Sequence, residues 1–72
     1  MTPSILRELW ATVESTQSSI LLQLDDHSLV DVLVDALTES HPLTSDEASS
    51  LQDYVRSKIT LIRDLANSRY AA

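Results

Sequence analysis

The sequence predicts an all-α fold: a three-helix bundle, long–short–long, completed by homodimerisation. Three observations lead there. The 72-residue chain has no glycine, and glycine supplies the positive-φ positions that tight β-hairpins use. Its apolar residues are nearly all aliphatic, twelve Leu, four Ile and five Val against one Trp and no Phe, and they recur at helical spacing. The firm breaks, Asp25-Asp26 and His41-Pro42, divide the chain into three periodic stretches. At this length a single domain, residues 1–72, is expected.

The first predicted helix covers residues 3–24. Thr2 offers a hydroxyl as N-cap, and Pro3 suits the first helical position, where the N–H has no intrahelical partner. Ile5, Leu6, Leu9, Trp10, Val13, Ile20, Leu21 and Leu24 form its apolar stripe. Ser15-Thr16-Gln17-Ser18-Ser19 interrupts that stripe with residues of poor helix propensity, so a kink or break competes with continuity there.

Asp25-Asp26 ends this helix. Asp26 is expected to cap the second, over residues 27–39, its charge complementing the positive helix start. This helix is apolar almost all round: Leu29, Val30, Val32, Leu33, Val34, Ala36 and Leu37 face a narrow stripe of Ser28, Asp31, Asp35 and Thr38. Such an element needs cover on several sides. The β-branched run Leu29–Val34 makes a strand the competing reading, and continuation through Asp35-Ala36-Leu37 favours the helix.

His41-Pro42 stops the second helix, because a residue before proline is pushed out of the α region. Thr44-Ser45-Asp46-Glu47 then reads as a capping box opening a third helix, residues 45–69. Ala48, Leu51, Val55, Lys58, Ile62, Leu65 and Arg69 fall on one heptad-like seam, widened by Tyr54, Ile59, Leu61 and Ala66. Arg63 and Arg69 sit where cations suit the negative end of this helix.

Unequal lengths point to a partner. At 1.5 Å rise per residue the outer helices are about 33–37 Å long and the middle one about 20 Å. The middle helix then leaves overhangs carrying Ile5, Leu6, Leu9 and Trp10 on one side and Leu61, Ile62, Leu65 and Tyr70 on the other. Left wet, these form a larger apolar patch than monomers usually expose, and a two-fold homodimer buries it. Leu6, Trp10, Leu61 and Leu65 are the predicted self-association residues. A break at residues 15–19 removes the mismatch and weakens the case.

Charge and composition narrow the function classes. Eleven acids against five bases give a net charge of −6. All of the excess lies in residues 1–42, while residues 43–72 are neutral. Attraction of DNA or anionic lipid is not expected, and positively charged protein surfaces are favoured partners. No run reaches the roughly 18 apolar residues that a membrane helix needs. The N-terminus lacks the basic-then-apolar pattern of a signal peptide. A cytoplasmic protein without membrane partners is therefore expected. With no cysteine, disulfides and thiolate zinc sites are excluded.

Few residues suggest chemistry. His27, Asp31 and Asp35 are spaced i, i+4, i+8 and could offer metal ligands, but a solvated stripe is the favoured reading, since aligned acids on an exposed face are common and no HExxH or EF-hand pattern supports a metal. Asp25 and Asp26 are explained by capping rather than by paired-carboxylate catalysis. Neither His27 nor His41 stands in a nucleophile-elbow context, and a glycine-free chain offers no oxyanion loop. No enzyme and no cofactor are expected. Arg56, Lys58, Arg63 and Arg69 make the third helix the only basic element, so nucleic-acid binding through it is the alternative; Asp53 and Asp64 interrupt that face. Trp10, Tyr54 and Tyr70 are the large aromatics, of the type that anchors interfaces. Trp10 and Tyr54 are also at core spacing, and Tyr70 is expected to be exposed near the chain end.

The stretch LWATVESTQSSILLQLDD (residues 9–26), together with Ile62-Arg63-Asp64-Leu65-Ala66, resembles small uncharacterised helical proteins of cyanobacteria. The resemblance extends over most of the chain. It implies a bacterial cytoplasm and no activity, cofactor or site.

The expectation is thus a non-enzymatic interaction module: a helical homodimer presenting an acidic surface, centred on Asp31 and Asp35, to a larger protein partner.

Overall fold

The structure, a computed structural model, describes residues 2–71, and the side chains of residues 2–69. Tyr70, expected to be exposed, has its side chain outside the described residues. Five helices follow one another: α1 (Pro3–Ser15), α2 (Ser18–Gln23), α3 (Asp26–Ser40), α4 (Ser45–Ser57) and α5 (Ile59–Ala71). The described residues contain no strand, so the chain is all-α.

The first predicted helix is divided in two, at the serine- and threonine-rich patch. The hydroxyls of Thr12, Ser15 and Thr16 donate to the carbonyls of Glu8 and Thr12 at 2.7–3.0 Å. Such back-bonding competes with the amides that extend a helix. Thr16 and Gln17 then adopt extended backbone, with ψ of 139° and 137°, and the chain turns before α2 begins.

The third predicted helix is divided more gently. The Lys58 amide reaches back three residues to the Val55 carbonyl at 2.9 Å, with φ −108° and ψ 8°. The Ser57 hydroxyl donates to the Tyr54 carbonyl at 2.7 Å. Neither glycine nor proline stands at this bend.

Helix starts follow the sequence closely, with one shift. The Thr2 hydroxyl accepts from the Ile5 amide with Pro3 opening α1. The Thr44–Glu47 capping box is complete: the Glu47 amide donates to the Thr44 hydroxyl at 3.2 Å, and the Thr44 amide to the Glu47 carboxylate at 3.1 Å. α3, however, is capped by Asp25 rather than Asp26. Asp25 has the extended backbone an N-cap requires, ψ 166°, and accepts from the Ser28 amide at 3.3 Å. This draws Asp26 into the first turn.

Packing follows from these breaks. α3 lies between α1 and α4, and α2 packs on α5. α3 buries Leu29, Val30, Leu33, Val34 and Leu37, as its nearly all-round apolar character requires. Leu9, Leu21, Leu51, Val55 and Ile62 join them with no more than 0 % exposure. In α4 and α5 the buried line is Leu51, Val55, Ile59, Ile62 and Ala66. The expected seam through Lys58, Leu65 and Arg69 is therefore displaced: the bend at Lys58 turns Ile59, Ile62 and Ala66 inward and leaves Leu65 outside.

The overhangs expected from unequal helix lengths are mostly covered. With α1 reduced to 13 residues and α3 extended to 15, the length mismatch in that arm is gone. α2, freed by the turn at Thr16–Gln17, covers α5 instead. Ile5, Leu9 and Ile62 are buried within the one chain. The accessible surface is 4567 Å² for a mass of 8.0 kDa, close to the about 4,450 Å² that a compact monomer of this mass exposes. What remains exposed among the large apolar side chains is Ile20, Val32, Leu61 and Leu65.

Candidate functional site

Two arginines of α5 position the surface that α5 presents. A helix leaves its last carbonyls without partners, and proteins often satisfy them with a left-handed residue after the helix end. No residue described here has positive φ. The ends of α1 and α2 are closed from outside instead. Arg63 donates through Nη1 to the Leu21 carbonyl at 2.9 Å and through Nη2 to the Leu24 carbonyl at 2.8 Å. The same Nη2 meets the Asp26 carboxylate at 2.8 Å. Arg69 donates to the Glu14 carbonyl at 3.0 Å, with the Thr16 and Val13 carbonyls each at 3.4 Å. A planar guanidinium suits this role because its donors fan out in a fixed fork.

Arg69 stands in the last turn of its own helix, as expected, and also reaches the end of α1. The reading of Arg63 is corrected: it lies midway along α5 and serves the end of α2. The available signal was indirect: a chain with no glycine has to end its helices by some other donor, and arginines placed six residues apart supply it.

With Arg69 fixed over the end of α1, a hollow of about 350 Å³ opens between α1 and α5, lined by Trp10, Val13, Glu14, Leu65 and Arg69. Its walls are apolar, with one acidic and one basic residue in the lining. The Trp10 indole is half-buried and packs edge-on against Tyr54, ring centroids 6.4 Å apart and planes at 81°. This is a favourable aromatic geometry. Leu65, at 44 % exposure, contributes to the lining from α5, and Leu61, at 46 %, stands one turn before it on the same side of α5.

The four predicted self-association residues thus divide. Trp10 and Leu65 both line the hollow, Leu61 extends the exposed apolar strip along α5, and Leu6 is half-buried on α1 and does not line the hollow. Glu14 and Arg69, which contribute its charges, were not anticipated as part of this surface.

The predicted acidic contacts lie elsewhere. Asp31 and Asp35 are exposed on α3. Val32 between them is 42 % exposed, so the stripe is less purely polar than its spacing implies. His27 Nε2 lies 3.4 Å from the Asp31 carboxylate, both largely in solvent, and Asp35 does not join them. Among the described residues no three His, Asp or Glu side chains converge as metal ligands would.

The basic side chains of α4 and α5 already have neighbours. Arg56 lies 3.9 Å from Asp53, and the Lys58 ammonium sits 5.8 Å from the centre of the Tyr54 ring. Hydrogen bonding to the side chain and amide of Ser28 holds the Asp25 carboxyl below the ordinary carboxylate value. This is the signature of an N-cap. No described helix is long and apolar enough to cross a membrane.

The chain matches no protein-family model, no curated protein and no solved structure.

Proposed function

We propose that this protein is a non-enzymatic interaction module, a helical homodimer that presents an acidic surface to a larger, positively charged partner. One observation carries the self-association: Leu61 and Leu65 stand exposed beside an apolar hollow walled by Trp10. An aromatic residue lining an open apolar recess is the kind of feature that anchors protein interfaces. The second copy supplies what the recess lacks, a pair of aliphatic side chains one helical turn apart, because a two-fold contact offers the same surface back to itself. Leu6, half-buried farther along α1, lies at the margin of this face.

The acidic contribution rests on charge placement. The whole net charge of −6 comes from residues 1–42, and Asp31 and Asp35 project from α3 into solvent. The nucleic-acid alternative is disfavoured by the use made of its cations. Arg63 and Arg69 are committed to backbone carbonyls, and their guanidinium groups are needed where they are.

Replacing both Leu61 and Leu65 by Glu tests the reading. The expected result is a dimer association constant at least roughly tenfold below that of the unaltered chain, with unchanged helical circular dichroism. An association constant that the double substitution leaves unchanged contradicts the assigned face.

A further inference from the structure

We infer that α5 exchanges between copies: the face of α2 that its own α5 covers also accepts the α5 of a second chain, with Lys58 as the hinge. The observations concern how α5 is attached. It is joined to α4 by one residue, and that residue departs from the helical angles by about 45–50° in each of φ and ψ. Residues 54–62 contain neither glycine nor proline, and the local competitor of a straight helix is a single hydroxyl, that of Ser57, which donates to the Tyr54 carbonyl at 2.7 Å. The first turn of α5 is already tied to the hinge, the Ile62 amide donating to the Lys58 carbonyl at 2.9 Å. Straightening Lys58 therefore joins α4 and α5 into one helix, the conformation that the sequence by itself favours.

The bend is held from outside. α5 packs mainly on α2 rather than on the neighbouring α4. Its directed bonds run to Leu21, Leu22, Leu24 and Asp26 from Arg63, and to the end of α1 from Arg69. All of these belong to an interface that is indifferent to which chain delivers α5. A straightened α5 leaves its own α2 uncovered, and the α5 of a second copy restores the same contacts. This is the economy of domain swapping, and a hinge whose local preference opposes its tertiary geometry invites it. The exchange needs neither Leu61 nor Leu65 exposed, so it goes beyond the surface contact proposed above.

The test uses the full chain carrying Leu65→Glu, which removes the apolar face as a route to dimers. Lys58→Ala favours a straight hinge and Lys58→Gly disfavours it, and both lose the contact with Tyr54 equally. Across two hinges the dimer association constant is expected to be roughly 30-fold higher for the alanine variant. Light scattering across a concentration series reads this directly. A second arm keeps Lys58 and exploits the absence of native cysteine. Spin labels at Gln23→Cys and Asn67→Cys, carried on separate chains refolded together, should give in the dimer the distance found within a doubly labelled monomer. Equal dimer content in the alanine and glycine variants, or a label separation unlike that of the monomer, overturns the exchange. The Leu61–Leu65 face is judged separately by its own variants.

Discussion

Arg63 is the residue on which the most structure converges. Its guanidinium closes the end of α2, reaches the first turn of α3 through Asp26, and anchors α5, all from a side chain only 23 % exposed. Removing it leaves three carbonyl groups short of a donor in a partly buried place. Arg63→Ala should cost about 3 kcal/mol in a urea unfolding experiment. Arg63→Lys should recover less than half of that loss, because one ammonium cannot fork among three carbonyls and a carboxylate. Full recovery by lysine shows that charge alone matters and refutes the capping account. Asp25 gives a second residue-scale prediction. Its folded carboxyl titrates below the ordinary value because of Ser28. Its stabilising contribution is then present above about pH 3.9, the unfolded value, and is lost as pH falls through the lower folded value. Asp25→Asn keeps a capping oxygen and removes the titration. The acid limb of the stability curve should flatten in the variant, and an unchanged limb assigns the loss to other carboxylates.

At the scale of elements, starts were more legible than ends. Thr2-Pro3 and the Thr44–Glu47 box announce their helices because the capping side chain lies beside the amide it satisfies. The end of α3 was legible at His41-Pro42, whereas the ends of α1 and α2 depend on what arrives from far along the chain. The division at Thr16–Gln17 was foreshadowed by the hydroxyl-rich patch. That α2 would then fold over α5 was not, since the contact joins residues about forty positions apart. The bend at Lys58 has neither glycine nor proline to announce it, and the Ser57 hydroxyl bonded to the Tyr54 carbonyl is its local trace. The apolar positions of α3 were readable throughout because periodicity reports burial directly: five of its seven apolar residues are buried. Its acidic stripe yields a prediction at this scale. Asp31→Asn with Asp35→Asn should leave the melting temperature within a few degrees, as exposed substitutions away from caps usually do. A large drop shows that these carboxylates hold the helix in place and removes them as a free surface.

The whole molecule measures 37 × 21 × 18 Å and exposes about as much surface as a compact monomer of its mass. The chain thus closes over more of its apolar residues than helix lengths alone suggested. Among the described residues the remaining surplus is Ile20, Val32, Leu61 and Leu65, and Leu65 shares the lining of the recess with Trp10. Periodicity placed Trp10 and Leu65 on apolar stripes, but their meeting depends on the turn after α1 and on Arg69 holding α5 against it. Self-association through this face is the central claim, and the single tryptophan reports on it. The decisive measurement is acrylamide quenching of Trp10 fluorescence across a series of protein concentrations. The account predicts that quenching falls as concentration rises and a second copy closes the recess. Quenching that stays constant, in a chain whose mass remains 8.0 kDa throughout the series, contradicts it.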